Sequence, residues 1–277
     1  TALYGDGGIG KTLAAQQLMT AVASGHDLFG YRIRRGIALG IFCEDDEGEL
    51  HRRQGAINDC LGLSYPDVAD VRVVARAGED NLLMTFLNDV GTLTPFWHQL
   101  RELVDSMRPT LLVVDTAADT FGGNENIRPQ VRQYVQGALT KLAIEYRCAV
   151  LLCAHPSAAG LLSGQGTGGS TAWNNSVRSR LYLFRDPTTE RLVLERKKSN
   201  YAKAGERVEM LWTNGAFRQW QDIFGDSGDP SQDREYDQLF IALLREFTAA
   251  GKRVSDALKG SRYAPREFAR VCRERHM

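Results

Sequence analysis

The segment GDGGIGKT, Gly5 to Thr12, constrains this chain more than any other stretch. It has the spacing Gly-x-x-x-x-Gly-Lys-Thr and lies between a short apolar run, Ala2 to Tyr4, and a helical pattern, Lys11 to Ser24, that Gly25 closes. A glycine-rich turn between a strand and a helix aims successive backbone N–H groups at one point, and the helix N-terminus adds its dipole, so the point is suited to phosphate. The backbone of Gly5, Gly7, Gly8, Ile9, Gly10 and Leu13 forms the cradle. Lys11 reaches the β- and γ-phosphates of a nucleoside triphosphate, and the Thr12 hydroxyl ligates magnesium. A chance glycine turn is the plain alternative, and the strand and helix flanks weigh against it.

Such a site needs acids at the ends of neighbouring strands. The run LLVVD ends at Asp115 after four apolar residues, which makes Asp115 the magnesium anchor, directly or through water, rather than an Asp that merely ends a strand. Hydrolysis also needs a group that positions and polarises water, and GIALGIFCEDD places Glu44 just past another buried strand. Asp45, Asp46 and Glu47 follow, so a solvated acidic turn stays open as a second reading. VLLCAH ends in His155. A lone histidine is commonly structural, but the strand after that of Asp115 should end close to the γ-phosphate.

Composition narrows the class. A chain of 277 residues holds one main domain with a short extra piece. Usage is 43% hydrophobic and 25% charged. No apolar run approaches the roughly 18 residues that span a bilayer, so a cytoplasmic protein without membrane contact is expected. Basic and acidic residues cancel at 34 each, which leaves bulk charge silent about nucleic acid. The five cysteines, Cys43, Cys60, Cys148, Cys153 and Cys272, have no metal spacing and suit buried hydrophobes in a reducing compartment. The chain opens at Thr1 with half a strand before the motif and no initiator methionine, and a missing N-terminal segment is expected.

Apolar runs at Ala2–Tyr4, Ile37–Cys43, Leu111–Asp115 and Ala149–Ala154 alternate with helical patterns. Besides Lys11–Ser24, one helix starts at Pro95 under a Thr94 cap and stops before Pro109, and another runs from Pro129 to Tyr146 with Val131, Val135, Ala138 and Leu142 inward. This predicts an α/β fold with a mostly parallel central sheet flanked by helices. After residue 177 short strands predict an antiparallel extension without helix. The expected division is a core over 1–224, a linker over 225–233 (GDSGDPSQD) and a small helical C-terminal appendage over 234–277, opened by a helix from Arg234 to Ala250.

With these pieces in place, residues 1 to about 220 resemble the RepA-type replicative helicases of plasmids and phages, which are RecA-like phosphate-loop ATPases. The resemblance is carried by GDGGIGKT, FCEDD, LLVVDTAADTFGGNEN, LLCAHPSAAGLLSGQGTGGSTAWNNSVRSRLYL and ERKKSNYAKAG, and SRYAPREFA resembles the family's tail segment. It implies ATP and Mg2+ as cofactors, and a homo-oligomeric ring of six subunits that acts as an ATP-driven motor on single-stranded DNA. It implies further that Glu44 is the catalytic base, that Asp115 is the magnesium aspartate and that His155 senses γ-phosphate. Arg178, with Arg180 as the near alternative, would reach a neighbouring subunit's nucleotide, and Lys198 of KSNY would be a second group acting across the interface. The following AKAG departs from the Gly-Pro turn that members often carry, which leaves the geometry of that loop open.

By the same resemblance the loops Thr116–Ile127 and Pro156–Gly169 would face a central channel and hold single-stranded DNA. Neither contains Lys or Arg, so their grip would rest on backbone amides, and flexible surface loops are the alternative. Phe121 either stacks a base or packs locally. Lys252, Arg253, Lys259, Arg262, Arg266, Arg270, Arg273 and Arg275 enrich the tail, as a nucleic-acid or partner contact or as a solvated helical face. Two other functions share the phosphate loop: a RecA-like regulator or loader that does not unwind DNA, and a phosphotransferase, which leaves GSTAWNNSVR and KSNY unexplained.

Overall fold

Consecutive buried residues in ALYG, ALGIF and LLVVD can be accommodated only by strands covered on both faces. The computed structural model describes residues 1–162, 164, 166–224, 230–256 and 262–274. Its elements begin β1 (Ala2–Gly5), α1 (Lys11–Ser24), β2 (Ala38–Phe42), α2 (Glu47–Leu61), β3 (Val71–Ala75), β4 (Met84–Leu87), β5 (Val90–Leu93), α3 (Pro95–Met107) and β6 (Leu111–Asp115). Next come α4 (Ala117–Thr120), β7 (Phe121–Gly122), α5 (Arg128–Gln133), a π-helical segment (Tyr134–Thr140), α6 (Lys141–Tyr146), β8 (Ala149–Ala154), α7 (Ala158–Leu162) and α8 (Thr171–Ser176). The last are β9 (Ser179–Arg185), β10 (Leu192–Ser199), β11 (Arg207–Thr213), β12 (Ala216–Gln219), α9 (Trp220–Phe224), α10 (Pro230–Ala249) and α11 (Ala264–Glu274).

Among the described residues the main sheet has nine strands in the order β12-β11-β10-β9-β1-β8-β6-β2-β3. The strands from β9 to β3 run parallel, and β10, β11 and β12 extend the sheet antiparallel. Register aligns Tyr4 with Ala154, Cys153 with Asp115 and Asp115 with Phe42, so β1, β8, β6 and β2 end together. That shared end is where the sequence places Gly5, His155, Asp115 and Glu44.

Each face of the sheet has its own core. On one, Leu13, Ala14, Met19 and Val22 of α1 pack with Leu50 and Ile57 of α2 and with Leu3, Phe42 and Val113. On the other, Trp97, Leu100 and Val104 of α3 pack with Val131, Val135, Ala138 and Leu142. Most of α1 is buried, including Gln16, Gln17 and Thr20, so its polar side chains must find partners inside. Gln17 does so across the fold: its Nε2 donates to the Phe217 carbonyl at 2.9 Å, and its Oε1 accepts from the Phe217 N–H at 2.8 Å.

Several expectations are corrected. The helix predicted over Pro129–Tyr146 starts at Arg128 and is interrupted by π-helical turns, where the Ala138 carbonyl accepts from the buried Trp97 Nε1 at 3.0 Å. The supposed loop Thr116–Ile127 is largely ordered, because β7 joins β4 and β5 in a small second sheet. The strand-only expectation after residue 177 misses α9. α10 begins at Pro230, so 230–233 are helix rather than linker, while 225–229 lie outside the described residues. α2, β3 and the β4–β5 hairpin are additions to the predicted elements. β3 is an edge strand without a fully buried residue, and α2 buries only Leu50, Gln54, Ile57 and Asn58.

The chain divides into two compact units, Thr1–Ile223 and Phe224–Met277. The second has a core of Leu243, Phe247, Ala264, Phe268 and Val271. No helix among the described residues is long and apolar enough to cross a membrane.

The Gln17–Phe217 pair yields a stability prediction. Gln17→Ala leaves a buried N–H and a buried carbonyl of Phe217 unpaired, and should cost roughly 2–4 kcal/mol. Urea denaturation followed by circular dichroism measures this, and a loss below about 0.5 kcal/mol would mean the pair does not hold β12 to α1.

Candidate active site

The opening loop has the backbone its composition requires. Gly8 and Gly10 adopt φ of 71° and 100°, left-handed values that side-chain-bearing residues rarely accept. A methyl group on Gly10 would also lie 2.5 Å from the Phe217 ring, whereas Gly7 and Gly8 face open space. The Asp6 carboxylate accepts from the Gly7 N–H at 2.8 Å and fixes the turn. The first amides of α1, at Lys11, Thr12 and Leu13, have no intrahelical acceptor, as at every helix start. Lys11 is 6% exposed, and its ammonium donates to the Gly5 carbonyl at 2.9 Å and the Asp6 carbonyl at 3.0 Å.

The strand ends bring the expected acids to this loop. Asp115 is 3% exposed, and its carboxyl is bonded by the Thr12 hydroxyl. Burial pushes the Asp115 carboxyl up to about 6, against the pull of the Thr12 hydrogen bond and the Lys11 charge, with Glu44 raising it further. Its Oδ1 is buried without a hydrogen-bond partner. A buried, partnerless carboxylate oxygen beside a bonded threonine hydroxyl suits a hard cation, so Thr12 and Asp115 fit magnesium. Among the described residues no cluster of three or more His, Cys, Asp or Glu could hold a metal, so an ion here would draw its other ligands from phosphate and water. The Cys153 thiol, fully buried against Asp115, is held far above its ordinary range by burial and that neighbouring charge.

His155 bridges Lys11 and Glu44. Its Nδ1 lies 3.3 Å from the Lys11 ammonium, and its Nε2 lies 4.0 Å from Glu44 Oε1. An ammonium can only donate, so Nδ1 carries the lone pair and the ring proton sits on Nε2, toward the glutamate. Burial first, and the Lys11 charge second, hold the imidazole below its ordinary value. The acidic turn is sorted by its partners. Asp45 is engaged by Arg53 at 2.8 Å, and Asp46 caps α2 by accepting from the Glu49 N–H at 2.8 Å. Glu44 is exposed and faces the phosphate loop's lysine and histidine.

Arg178 and Lys198 lie elsewhere. Arg180 is level with Ala2 and Lys198 is level with Arg180, so these residues sit at the opposite end of the parallel strands from Gly5. The separation along the strands is on the order of 10 Å or more. Arg178 is exposed, whereas Arg180 is buried and donates to the Gly166 carbonyl at 3.0 Å. The Lys198 ammonium donates to the carbonyls of Asn174 and Val177 at 2.7 and 2.9 Å, which ties it to the last turn of α8 just before Arg178.

Phe121 packs locally: it is 8% exposed and sits against Phe86, Tyr134 and Trp173, with ring centroids 5.2–5.5 Å apart. Of the second loop, Ser163 and Gln165 lie outside the described residues. The remainder folds back through Ser157 N–H donating to the Thr167 carbonyl at 2.9 Å. A cavity of about 220 Å³ separates these loops from the sheet, and its wall includes His155, Glu125, Phe121 and Trp173. The sequence reading missed Gln17, Phe217 and Arg53. The first two are 200 residues apart and leave no local signal, whereas Arg53 stands one helical turn after Glu49, a spacing that could have revealed it.

A family model described as an AAA domain matches residues 1–160. No curated protein matches the chain by sequence. Among solved structures, a KaiC-like protein from the hyperthermophilic archaeon Pyrococcus horikoshii is similar with a TM-score of 0.56 at 14% identity, over 79% of this chain and 88% of that one. At that identity the likeness is one of fold alone. It spans more of the chain than the family match does.

The buried Asp115 carries a linkage of defined sign. Its folded value, about 6, exceeds the ordinary 3.8, so the native protein binds this proton more tightly than the unfolded chain. Stability from Asp115 is therefore complete below pH 4, falls as pH rises toward 6 and is absent above it. At pH 8 without nucleotide, Asp115→Asn should stabilise the protein, by on the order of 3 kcal/mol at most, and magnesium–nucleotide should no longer raise its melting temperature. Thermal melts with and without magnesium–nucleotide check both halves, and a destabilised variant that still responds to the ion would contradict them.

Proposed function

The chain belongs to the AAA domain family, and on that premise we propose that it is an ATP-hydrolysing, ring-forming motor on single-stranded DNA, of the RepA-type replicative helicase kind. The observation that carries the reading is the convergence of Lys11, Asp115, Glu44 and His155 at one end of the sheet, with exposed Arg178 at the other. One subunit thus holds most of a hydrolytic site and offers its neighbour a cation.

In this reading the amides of the Gly5–Thr12 loop cradle the triphosphate, and the Lys11 ammonium turns from the loop's carbonyls to the β- and γ-phosphates. Magnesium held by Thr12 and Asp115 would neutralise charge developing between those phosphates. Glu44 polarises the attacking water, since Asp45 and Asp46 already have partners. His155 touches the lysine on one side and the loop-walled cavity on the other, a position suited to relay the state of the γ-phosphate to the loops. Arg178 completes a neighbour's site in a ring of six. Lys198 holds the turn before Arg178 and acts across the interface only by leaving the carbonyls of Asn174 and Val177.

A second reading is a RecA-like regulator or loader that hydrolyses ATP without unwinding DNA. It is favoured by the absence of Lys and Arg from both candidate DNA loops. Forked-duplex unwinding separates the two, as does stimulation of ATP hydrolysis by single-stranded DNA.

Arg178→Ala should lower turnover by roughly 10³-fold or more with nucleotide affinity unchanged, and a concentration-dependent specific activity should vanish with it. Glu44→Gln should lower kcat by roughly 10²- to 10⁴-fold with binding intact. Steady-state ATPase kinetics paired with fluorescent-nucleotide titration measure both. Full turnover by the Arg178 variant would rule out the shared site.

A further inference from the structure

The second compact unit, Phe224–Met277, has its own core, in which Ala264, Phe268 and Val271 of α11 pack with Leu243 and Phe247 of α10. That core fixes the direction in which α11 faces. Positions 266 and 270 stand two residues beyond 264 and 268, which places them on roughly the opposite side of a helix with about 3.6 residues per turn. Arg266 and Arg270 are exposed there. Before the helix, Ser255 runs parallel to Tyr263: the Ser255 N–H donates to the Arg262 carbonyl and the Ala264 N–H to the Ser255 carbonyl, both at 2.8 Å. This pairing brings Lys252 and Arg253 alongside Arg262 at the start of α11, and all three are exposed.

The charge is segregated rather than general. From residue 252 onward there are eight Lys and Arg against three Asp and Glu, whereas 224–251 holds two against six, in a chain whose net charge is +0. Of the nearby acids, Glu267 pairs with Arg270 at 3.0 Å and Asp256 is exposed. Four of the five exposed cations are arginines, whose planar fork matches phosphate oxygens. Arg262, Arg266 and Arg270 recur every four positions and Lys252 and Arg253 adjoin the first, a row of cations that suits successive phosphates of a polyanion. The buried apolar residues of α11 are committed to the unit's own core, so α11 itself offers no apolar face to a lipid surface; the exposed apolar residues of the unit, Phe240, Ile241 and Leu244, lie on α10.

We propose that Lys252, Arg253, Arg262, Arg266 and Arg270 form a nucleic-acid phosphate-backbone site on the C-terminal unit. It binds without base specificity and without need of nucleotide at the Gly5–Thr12 loop. It stands apart from the proposed ATPase cycle and does not depend on it.

The test is titration of the full chain with fluorescein-labelled single-stranded and duplex DNA, without nucleotide or magnesium, across roughly 50–200 mM salt. The logarithm of the affinity should fall linearly with the logarithm of salt. An Arg262→Ala/Arg266→Ala double variant should flatten that slope by about 1.4 on single strands or about 1.8 on duplex, two phosphate contacts in either case. The Arg262→Lys/Arg266→Lys pair should keep the slope, and Arg245→Ala, an exposed cation of α10 outside the cluster, should leave it unchanged. Arg253→Ala lies outside the helices and gives a single-contact reading, about 0.7 to 0.9, should the double variant misfold. Unaltered slopes in the alanine variants overturn the proposal, as does a chain that binds anionic phospholipid vesicles but no DNA. ATP hydrolysis by the same preparation reports separately on the proposed motor.

Discussion

A buried ammonium facing a buried carboxylate governs this structure. Lys11 and Asp115 are each almost fully removed from water, and each is costly there without compensation. Lys11 meets the cost with the carbonyls of Gly5 and Asp6. Asp115 does so only in part, with Thr12, and keeps one oxygen without a partner. The electrostatic imbalance that remains is therefore on Asp115, whose free oxygen suits a hard cation.

Holding that imbalance in place requires rigidity from distant parts of the chain. The helix carrying Lys11 is packed against the sheet, against α2, and against β12 through Gln17 and Phe217. The antiparallel strands thus brace the loop as well as widening the sheet: the Phe217 ring lies against Gly10 and leaves no room for a side chain there. The same strands carry Lys198 to the turn before Arg178, at the end of the sheet remote from the loop. Lys11, Asp115, Glu44 and His155 thus stand at one end of the parallel strands and Arg178 and Lys198 at the other.

Much of the architecture was legible because parallel strands buried on both faces leave continuous apolar runs. LLVVD and VLLCA announced β6 and β8, and Gly25 and Thr94 marked a helix end and a helix start by their capping chemistry. Elements whose burial is partial left weaker traces. β3 at the sheet edge has no buried side, and α2 buries only two apolar residues beside two carboxamides, with Gln54 bonding Thr20 and Asn58 inside the protein. Polar residues buried in such a network look like surface residues in a sequence. The acidic run at 44–47 shows the same limit at the site: its four acids are alike in composition, and only Arg53 and the start of α2 distinguish Glu44 from Asp45 and Asp46.

The sequence by itself determined the chemistry of the opening loop, because the left-handed backbone at Gly8 and Gly10 and the lysine and threonine that follow are local requirements set by residue type and spacing. It determined also that the core would be a layered α/β domain, since hydrophobic periodicity is local. Tertiary structure alone decided that Asp115 keeps a free oxygen beside that loop, that Phe121 belongs to the core, and that Arg178 stands at the far end of the sheet while Arg180 is tied down beside it. Those outcomes depend on strand order and register, which pair residues such as Asp115 with Cys153 and Ala2 with Arg180, and a linear pattern carries no record of which run will lie next to which.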